Sequence, residues 1–187
     1  MITSTTTLVP DSPAAAYDAY RQAASAVFLA GAQGLKYRKE HYELVVDLSK
    51  AGLSYIEDEG DEIVIGAMTP LWQLKISSVI QKLAGGAVSR AISDIADKDV
   101  QRYGTLGGVI SGKGAFSVLL PIFLSLHVDV LLQDKGRMSW KTTCSARRWE
   151  NWLRVFPLPG KKCILLIRPI AGCVGRTLFG RCGVFAG

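Results

Sequence analysis

The stretch Val100-Gln101-Arg102-Tyr103-Gly104-Thr105-Leu106-Gly107-Gly108-Val109-Ile110 decides how the rest of the chain is understood. It sets a hydroxyl and three glycines into five residues, with apolar and β-branched positions on either side. A glycine has no Cβ to hold a ligand away from the backbone, and it permits turns that aim several N–H groups at one point. Thr105 adds a side-chain donor beside them. Those groups suit a phosphate or pyrophosphate. The same local pattern also fits a tight glycine turn packed under a helix, and alone it does not separate the two.

A second glycine cluster shifts the balance. Leu29-Ala30-Gly31-Ala32-Gln33-Gly34-Leu35 follows the apolar run Ala26-Val27-Phe28, the pattern of a strand running into a glycine loop. The stretch at Val100 is expected to follow the same strand-to-loop pattern. Two such loops, about seventy residues apart, can converge from opposite sides on a long ligand carrying a diphosphate.

With both loops in view, the sequence resembles a known family. Ala30 to Leu35 is similar to the first loop, commonly Ala-Gly-Gly-Thr-Asp-Leu, of the FAD-binding subunit of molybdenum hydroxylases, the group of xanthine dehydrogenase and aerobic carbon monoxide dehydrogenase. Val100 to Ile110 resembles that family's second loop, commonly Ile-Arg-Asn-x-Gly-Thr-Ile-Gly-Gly-Asn. Val45-Val46-Asp47-Leu48-Ser49, Ile63-Val64-Ile65-Gly66-Ala67-Met68-Thr69 and the leucine-rich run Leu119 to Leu126 resemble three further segments in the same order. The resemblance covers roughly residues 5 to 140 and stops there.

The resemblance implies an α+β fold, with a small N-terminal α/β subdomain packed on a second α+β subdomain. It implies FAD as cofactor, an iron–sulfur subunit and a molybdenum-cofactor subunit as partners, and an external electron acceptor such as NAD⁺. The residues it assigns to the cofactor are Leu29, Ala30, Gly31, Ala32, Gln33, Gly34 and Leu35 in the first loop, and Thr105, Leu106, Gly107, Gly108 and Val109 in the second. Thr105 would donate its hydroxyl and the glycine segments their backbone N–H groups. The chain departs from the common pattern at Ala32, Gln33 and Gly34, at Gln101-Arg102 and at Val109. Val118 stands where an Asp commonly meets the ribose. Those departures keep a second function in play, a non-catalytic assembly protein that retains the fold and binds partners without flavin.

Composition bounds the remaining choices. Nearly half of the 187 residues are apolar and a fifth are charged, ordinary for a globular protein. The formal charge of +6 is unevenly placed. Residues 1–140 carry 13 Lys/Arg against 15 Asp/Glu, whereas residues 141–187 carry 9 Lys/Arg against Glu150 alone. A basic tail attracts anions, but this one lacks the dense Lys/Arg block of a nucleic-acid-binding arm, and no nucleic-acid partner is expected. Cys144, Cys163, Cys173 and Cys182 all lie in that tail without a C-x-x-C pair, so no metal site is expected. No secretory signal begins the chain, and Pro121, His127 and Asp129 interrupt the longest apolar stretch, Phe116 to Leu132. A cytoplasmic location without membrane contact is the expectation.

Three units are expected: residues 1–50 with the first glycine loop, residues 51–140 with the second, and an atypical tail, 141–187, given no structure. The abrupt change of character near residue 141 raises the idea of a truncation or an altered reading frame. Within the first unit, Met1–Thr7 is polar and expected to fray, and Leu8-Val9-Pro10 reads as a short strand. Asp11 or Ser12 caps a helix with Pro13 at its first position, and Tyr17, Tyr20 and Ala24 form its core stripe. Asp58-Glu59-Gly60-Asp61 reads as a hairpin turn. Thr69 is expected to cap a helix with Pro70 at N1, Gly85-Gly86 to break it, and His127–Leu132 to form a strand.

Rival chemistry finds little footing. Gly107 to Lys113 fits G-x-x-x-x-G-K, but Gly114 stands where a nucleotide-binding loop needs Ser or Thr for Mg²⁺. The two histidines, His41 and His127, have no partner pattern for catalysis, and no catalytic residue is assigned. That suits a redox module in which the cofactor supplies the chemistry and the protein supplies binding.

Overall fold

The first glycine segment follows a strand, and the second joins two helices. The chain is described by a computed structural model over residues 2–111, 118–132, 136–139 and 164–168. Strands β1 (Thr3–Leu8), β2 (Ala26–Leu29) and β3 (His41–Asp47) form a parallel sheet in the order β1-β3-β2. Parallel strands need crossovers, and helix α1 (Pro13–Gln22) supplies the one from β1 to β2, which flank β3 in the sheet. The Ser12 hydroxyl accepts from the Ala15 N–H at 3.3 Å and Pro13 takes the first turn, as the sequence leads one to expect.

The opening residues differ from the expectation of fraying. Thr3 to Leu8 is strand β1, paired from Thr3↔His41 to Leu8↔Val46. Four β-branched threonines favour extended backbone, but an all-exposed edge strand carries no apolar alternation to betray it. The threonine hydroxyls of Thr3 and Thr5 lie 2.9 and 3.3 Å from the two ring nitrogens of His41.

The second sheet is antiparallel. Strands β4 (Ile56–Asp58) and β5 (Ile63–Gly66) make the expected acidic hairpin, with Gly60 at φ +83° in its turn. Strands β6 (His127–Leu132), β7 (Gly136–Ser139) and β8 (Ile164–Arg168) complete the order β4-β5-β8-β6-β7. Strand β8 comes from the tail and pairs on both sides, Ile63↔Ile167 with β5 and Val130↔Leu165 with β6. Its apolar run Ile164-Leu165-Leu166-Ile167 suits a central strand, although it is set in a basic segment. Arg137 ties this sheet together at its surface, with Nε 2.7 Å from Asp129 and Nη2 3.0 Å from Glu62.

Six short helices follow: α2 (Leu71–Ile76), α3 (Ser78–Lys82), α4 (Ala87–Ser93), α5 (Lys98–Tyr103), α6 (Leu106–Ser111) and α7 (Leu120–Ser125). The expected helix is already broken at Ser77, between α2 and α3, and a second break comes with Gly85 and Gly86, both at positive φ. Thr69 does not cap α2. Its hydroxyl instead donates to the Tyr55 carbonyl at 2.9 Å and accepts from the Tyr55 N–H at 3.1 Å, and Pro70 holds the cap position. Burial explains the change: Thr69 is 0% exposed, so both sides of its hydroxyl need partners.

Ile65, Leu71, Leu74, Ile80, Ile92, Leu106 and Phe123 form the larger core between this sheet and the helices. Each fully buried side chain of that size contributes about 1.5–3 kcal/mol. A smaller core joins Ala16, Val46 and Leu48 of the first unit to Leu53 and Ala67. The result is an α+β fold with a small α/β unit packed on a larger α+β unit.

Candidate functional site

The two glycine segments meet. A Cβ placed on Gly31 would lie 1.7 Å from the Tyr103 carbonyl oxygen and 3.2 Å from the Gly104 Cα. The loops are therefore in backbone-to-backbone contact, which only glycine at position 31 permits. Both border one cavity of about 430 Å³, within the usual range for ligand sites. Ala30, Gly31, Ala32, Gln33, Gly34 and Leu35 form one wall, and Gly104, Thr105, Gly107, Gly108, Val109 and Ser111 another.

The first segment leaves β2 and tightens into a 3₁₀ turn at Leu35–Tyr37. Lys36 donates its N–H to the Ala32 carbonyl at 3.0 Å, and Arg38 donates to Leu35 at 3.0 Å. Gln33 is held by its own neighbours, donating from Nε2 to the Gly31 carbonyl at 3.2 Å and accepting from Lys36 Nζ at 2.8 Å. Among the described residues, the backbone N–H groups from Ala30 to Gly34 form no hydrogen bond with another part of the backbone. Ala32 sits at φ +56°, a conformation that disfavours a side chain.

The second segment is built differently from the expected strand-to-loop. Asp97 caps α5 by accepting from Asp99 and Val100, and α5 leads to Gly104. Leu106 N–H donates to Thr69 at 3.0 Å, Gly107 N–H to Ala67 at 2.8 Å, and Val109 N–H to Thr105 at 3.0 Å. The Thr105 hydroxyl accepts from the Gly108 N–H at 3.2 Å, in the manner of a helix N-cap. The backbone donors from Leu106 to Val109 are thus consumed by the fold. A hydroxyl both donates and accepts, so accepting from Gly108 leaves the Thr105 proton available for a partner.

Of the residues assigned from sequence, Leu29 and Leu106 do not line the cavity. Leu29 closes the β2–β3 ladder opposite Asp47, and Leu106 is 1% exposed in the larger core. Val118 lies outside the lining as well. Lys113, Gly114 and the four cysteines fall outside the described residues. Gly107 to Ser111 is helical, unlike a phosphate-cradling loop.

Several lining residues carried no signal in the glycine pattern. Tyr20 and Phe28 stack with ring centroids 4.4 Å apart and planes 15° apart, and Met68, Tyr37 and Tyr42 extend the apolar wall. Helical spacing marks Tyr20 only as a buried-face residue. Arg38 is the one charged residue among the described lining residues. Its Nη1 lies 3.8 Å from Glu40 Oε2. Glu40 also accepts the Tyr42 hydroxyl. Burial first, then that hydrogen bond, holds the Tyr42 hydroxyl above its ordinary pKa, with Arg38 pulling the other way.

Residues 3–145 match the family described as the FAD binding domain in molybdopterin dehydrogenase. The chain belongs to that family, whose cofactor is FAD. Solved structures agree on the fold. The chain is similar to a cyanide-inactivated Cu,Mo-CO dehydrogenase, with TM-score 0.71 and 23% identity over 90% of this chain and 60% of that one. It is similar to a carbon monoxide dehydrogenase from Hydrogenophaga pseudoflava lacking the Mo-pyranopterin moiety, with TM-score 0.69 and 23% identity over 89% and 59%. It is also similar to quinoline 2-oxidoreductase from Pseudomonas putida 86, with TM-score 0.71 and 18% identity over 92% and 60%. The chain thus spans about 60% of the length of the solved chains it matches. No curated protein matches the sequence. Among the described residues, no helix is long and apolar enough to cross a membrane.

Proposed function

We propose that the cavity between the two glycine segments holds FAD, and that the chain serves as the electron-transfer module of a molybdopterin dehydrogenase-type complex. One observation carries this reading: the segments that resemble the family's two cofactor loops line a single cavity with their backbones in contact. The fit is reasonable on chemistry. The N–H groups from Ala30 to Gly34, free of backbone partners on one wall, support contact with the diphosphate, and Thr105 lies on the opposite wall with a hydroxyl that can donate. Tyr20, Phe28 and Met68 offer apolar surface to a planar ring system.

Bound FAD supplies the redox chemistry. The chain binds it and orients it between the two walls. Electrons would come from an iron–sulfur partner and leave to an external oxidant, with substrate oxidised on a molybdenum-containing partner. NAD⁺, which the resemblance implies as one such oxidant, finds no support in the similar structures described above.

A partner-binding protein that keeps the fold without flavin is the second reading. Ala32, Gly34, Val109 and Val118 favour it, because each stands where the family commonly places another residue, polar at three of these positions. A lost hydrogen bond weakens binding by about 0.5–3 kcal/mol, and every 1.4 kcal/mol is roughly tenfold. Two or three losses carry a nanomolar site to micromolar. Titrating the purified chain with FAD and following flavin fluorescence separates the readings. Saturable, micromolar binding lost on gel filtration is expected. A colourless protein that fails to saturate but still co-purifies with partners would establish the second.

A further inference from the structure

We propose that Arg38 is the cation that recognises the diphosphate of the bound dinucleotide in this chain, and that Glu40 competes for it. The inference rests on the FAD reading and deepens it. A diphosphate brings negative charge into a cavity lined mostly by apolar groups and glycine, where an uncompensated charge is strongly disfavoured. Arg38 is the only charged lining residue among those described.

Its position follows from the first segment's own backbone. The 3₁₀ turn at Leu35–Tyr37 ends with the Arg38 N–H donating to the Leu35 carbonyl at 3.0 Å, so Arg38 sits at a fixed distance along the chain from the N–H groups of Ala30–Gly34. The neighbouring cation is otherwise occupied: Lys36 Nζ donates to Gln33 at 2.8 Å and lies 5.1 Å from the centre of the Tyr37 ring. Lys39 is exposed and does not line the cavity.

Arg38 also acts on the Tyr42 hydroxyl, but its hold on Glu40 is loose. Its 3.8 Å approach to Glu40 is too long for a hydrogen bond, and the two side chains are 39% and 54% exposed. An exposed pair of that geometry contributes little. A phosphate offers the guanidinium two parallel charge-assisted bonds, which are stronger. Glu40 has a second partner in the Tyr42 hydroxyl, so its carboxylate stays satisfied when Arg38 turns to the ligand.

The test is a titration of the full chain with FAD and with riboflavin, which lacks the diphosphate, for the wild type, Arg38→Met and Glu40→Gln. Arg38→Met should raise the Kd for FAD by about tenfold or more, the weight of a charge-assisted bond. Riboflavin affinity should stay within about twofold, since it reports only the apolar walls. Glu40→Gln should tighten FAD, an opposite sign that a damaged fold cannot produce. Raising the salt concentration should weaken FAD binding by the wild type more than by Arg38→Met. An FAD affinity for either variant equal to the wild type overturns the proposal, as does an equal loss for FAD and riboflavin in Arg38→Met. If the wild type itself fails to saturate with FAD, the FAD reading fails and takes this inference with it.

Discussion

In Ala30–Leu35 the backbone N–H groups from Ala30 to Gly34 make no backbone hydrogen bond among the described residues, whereas in Gly104–Val109 those of Gly104, Leu106, Gly107, Gly108 and Val109 are all taken up within the fold. The two segments look alike in composition and are built to different ends. The first presents donors on a turn. The second is a helix start whose hydrogen bonds to Ala67 and Thr69 tie it to the end of β5 and the approach to α2. The difference teaches that glycine in a motif has at least two meanings, open donors and close contact. Gly31 and Gly104 belong to the second meaning, with built Cβ atoms 1.7 and 2.5 Å from backbone oxygens, while Gly34 has no atom within 4 Å.

The hardest blow to that comparison would come from Gly31→Ala. Its methyl group would strike the Tyr103 carbonyl, a backbone atom held by α5, so one loop must move away from the other. A destabilisation of about 3 kcal/mol is expected, at the upper end of overpacking effects, and FAD binding should be lost with the cavity. Urea unfolding and flavin titration measure the two. Near-wild-type stability would mean that the loops are not locked together.

Thr105→Val addresses the second segment. It keeps the shape, removes the acceptor for the Gly108 N–H and leaves that donor unmet at the start of α6. The expected loss is about 1–2 kcal/mol of stability, as for other lost helix caps, together with weaker FAD binding from the missing donor. Thr105→Ser should recover most of both. If Thr105→Val changed affinity alone, the hydroxyl would belong to the ligand and not to the helix.

Much of this scaffold was legible because local chemistry and tertiary role agree. Ser12-Pro13 starts α1, the acidic turn at Asp58–Asp61 joins β4 to β5, and Gly85-Gly86 separate α3 from α4, all by rules that act within a few residues. What stayed hidden depends on partners far along the chain. Thr3–Leu8 becomes a strand through β3, and Ile164–Arg168 through β5 and β6. The glycines at 107 and 108 become helical against their own propensity because Ala67 and the Thr105 side chain accept their N–H groups. The site followed the same division. The glycine segments announced a cavity, but Arg38, Tyr42 and the stacked Tyr20 and Phe28 reach it only through the folding of β2, β3 and α1.

A smaller effect of opposite sign sharpens the account of the first segment. Ala32 holds φ +56°, where a Cβ crowds the backbone, and the resemblance places glycine there. Ala32→Gly relieves that strain, partly offset by the greater freedom of glycine in the unfolded chain. A net gain of about 1 kcal/mol is expected, seen as a raised midpoint in thermal or urea unfolding. A loss would show that the turn holds its shape without strain at this position.

Gly34→Ala is the mildest case, and for that reason the cleanest check on what glycine means here. Gly34 lies at φ −81° and ψ −34°, an ordinary right-handed conformation open to any residue. Nothing stands within 4 Å of the added methyl group, and the residue is exposed. Neither strain nor collision opposes the change, and reduced freedom in the unfolded chain favours it slightly. Stability should therefore move by no more than about 0.5 kcal/mol, in the stabilising direction. FAD affinity is the more telling measurement. The Gly34 N–H survives the substitution, so if backbone donors alone hold the diphosphate, the Kd should stay within about twofold. A large loss of affinity without loss of stability would mean that the ligand itself packs against Gly34. The open face of the first segment would then be a contact surface, and close approach would matter in both segments.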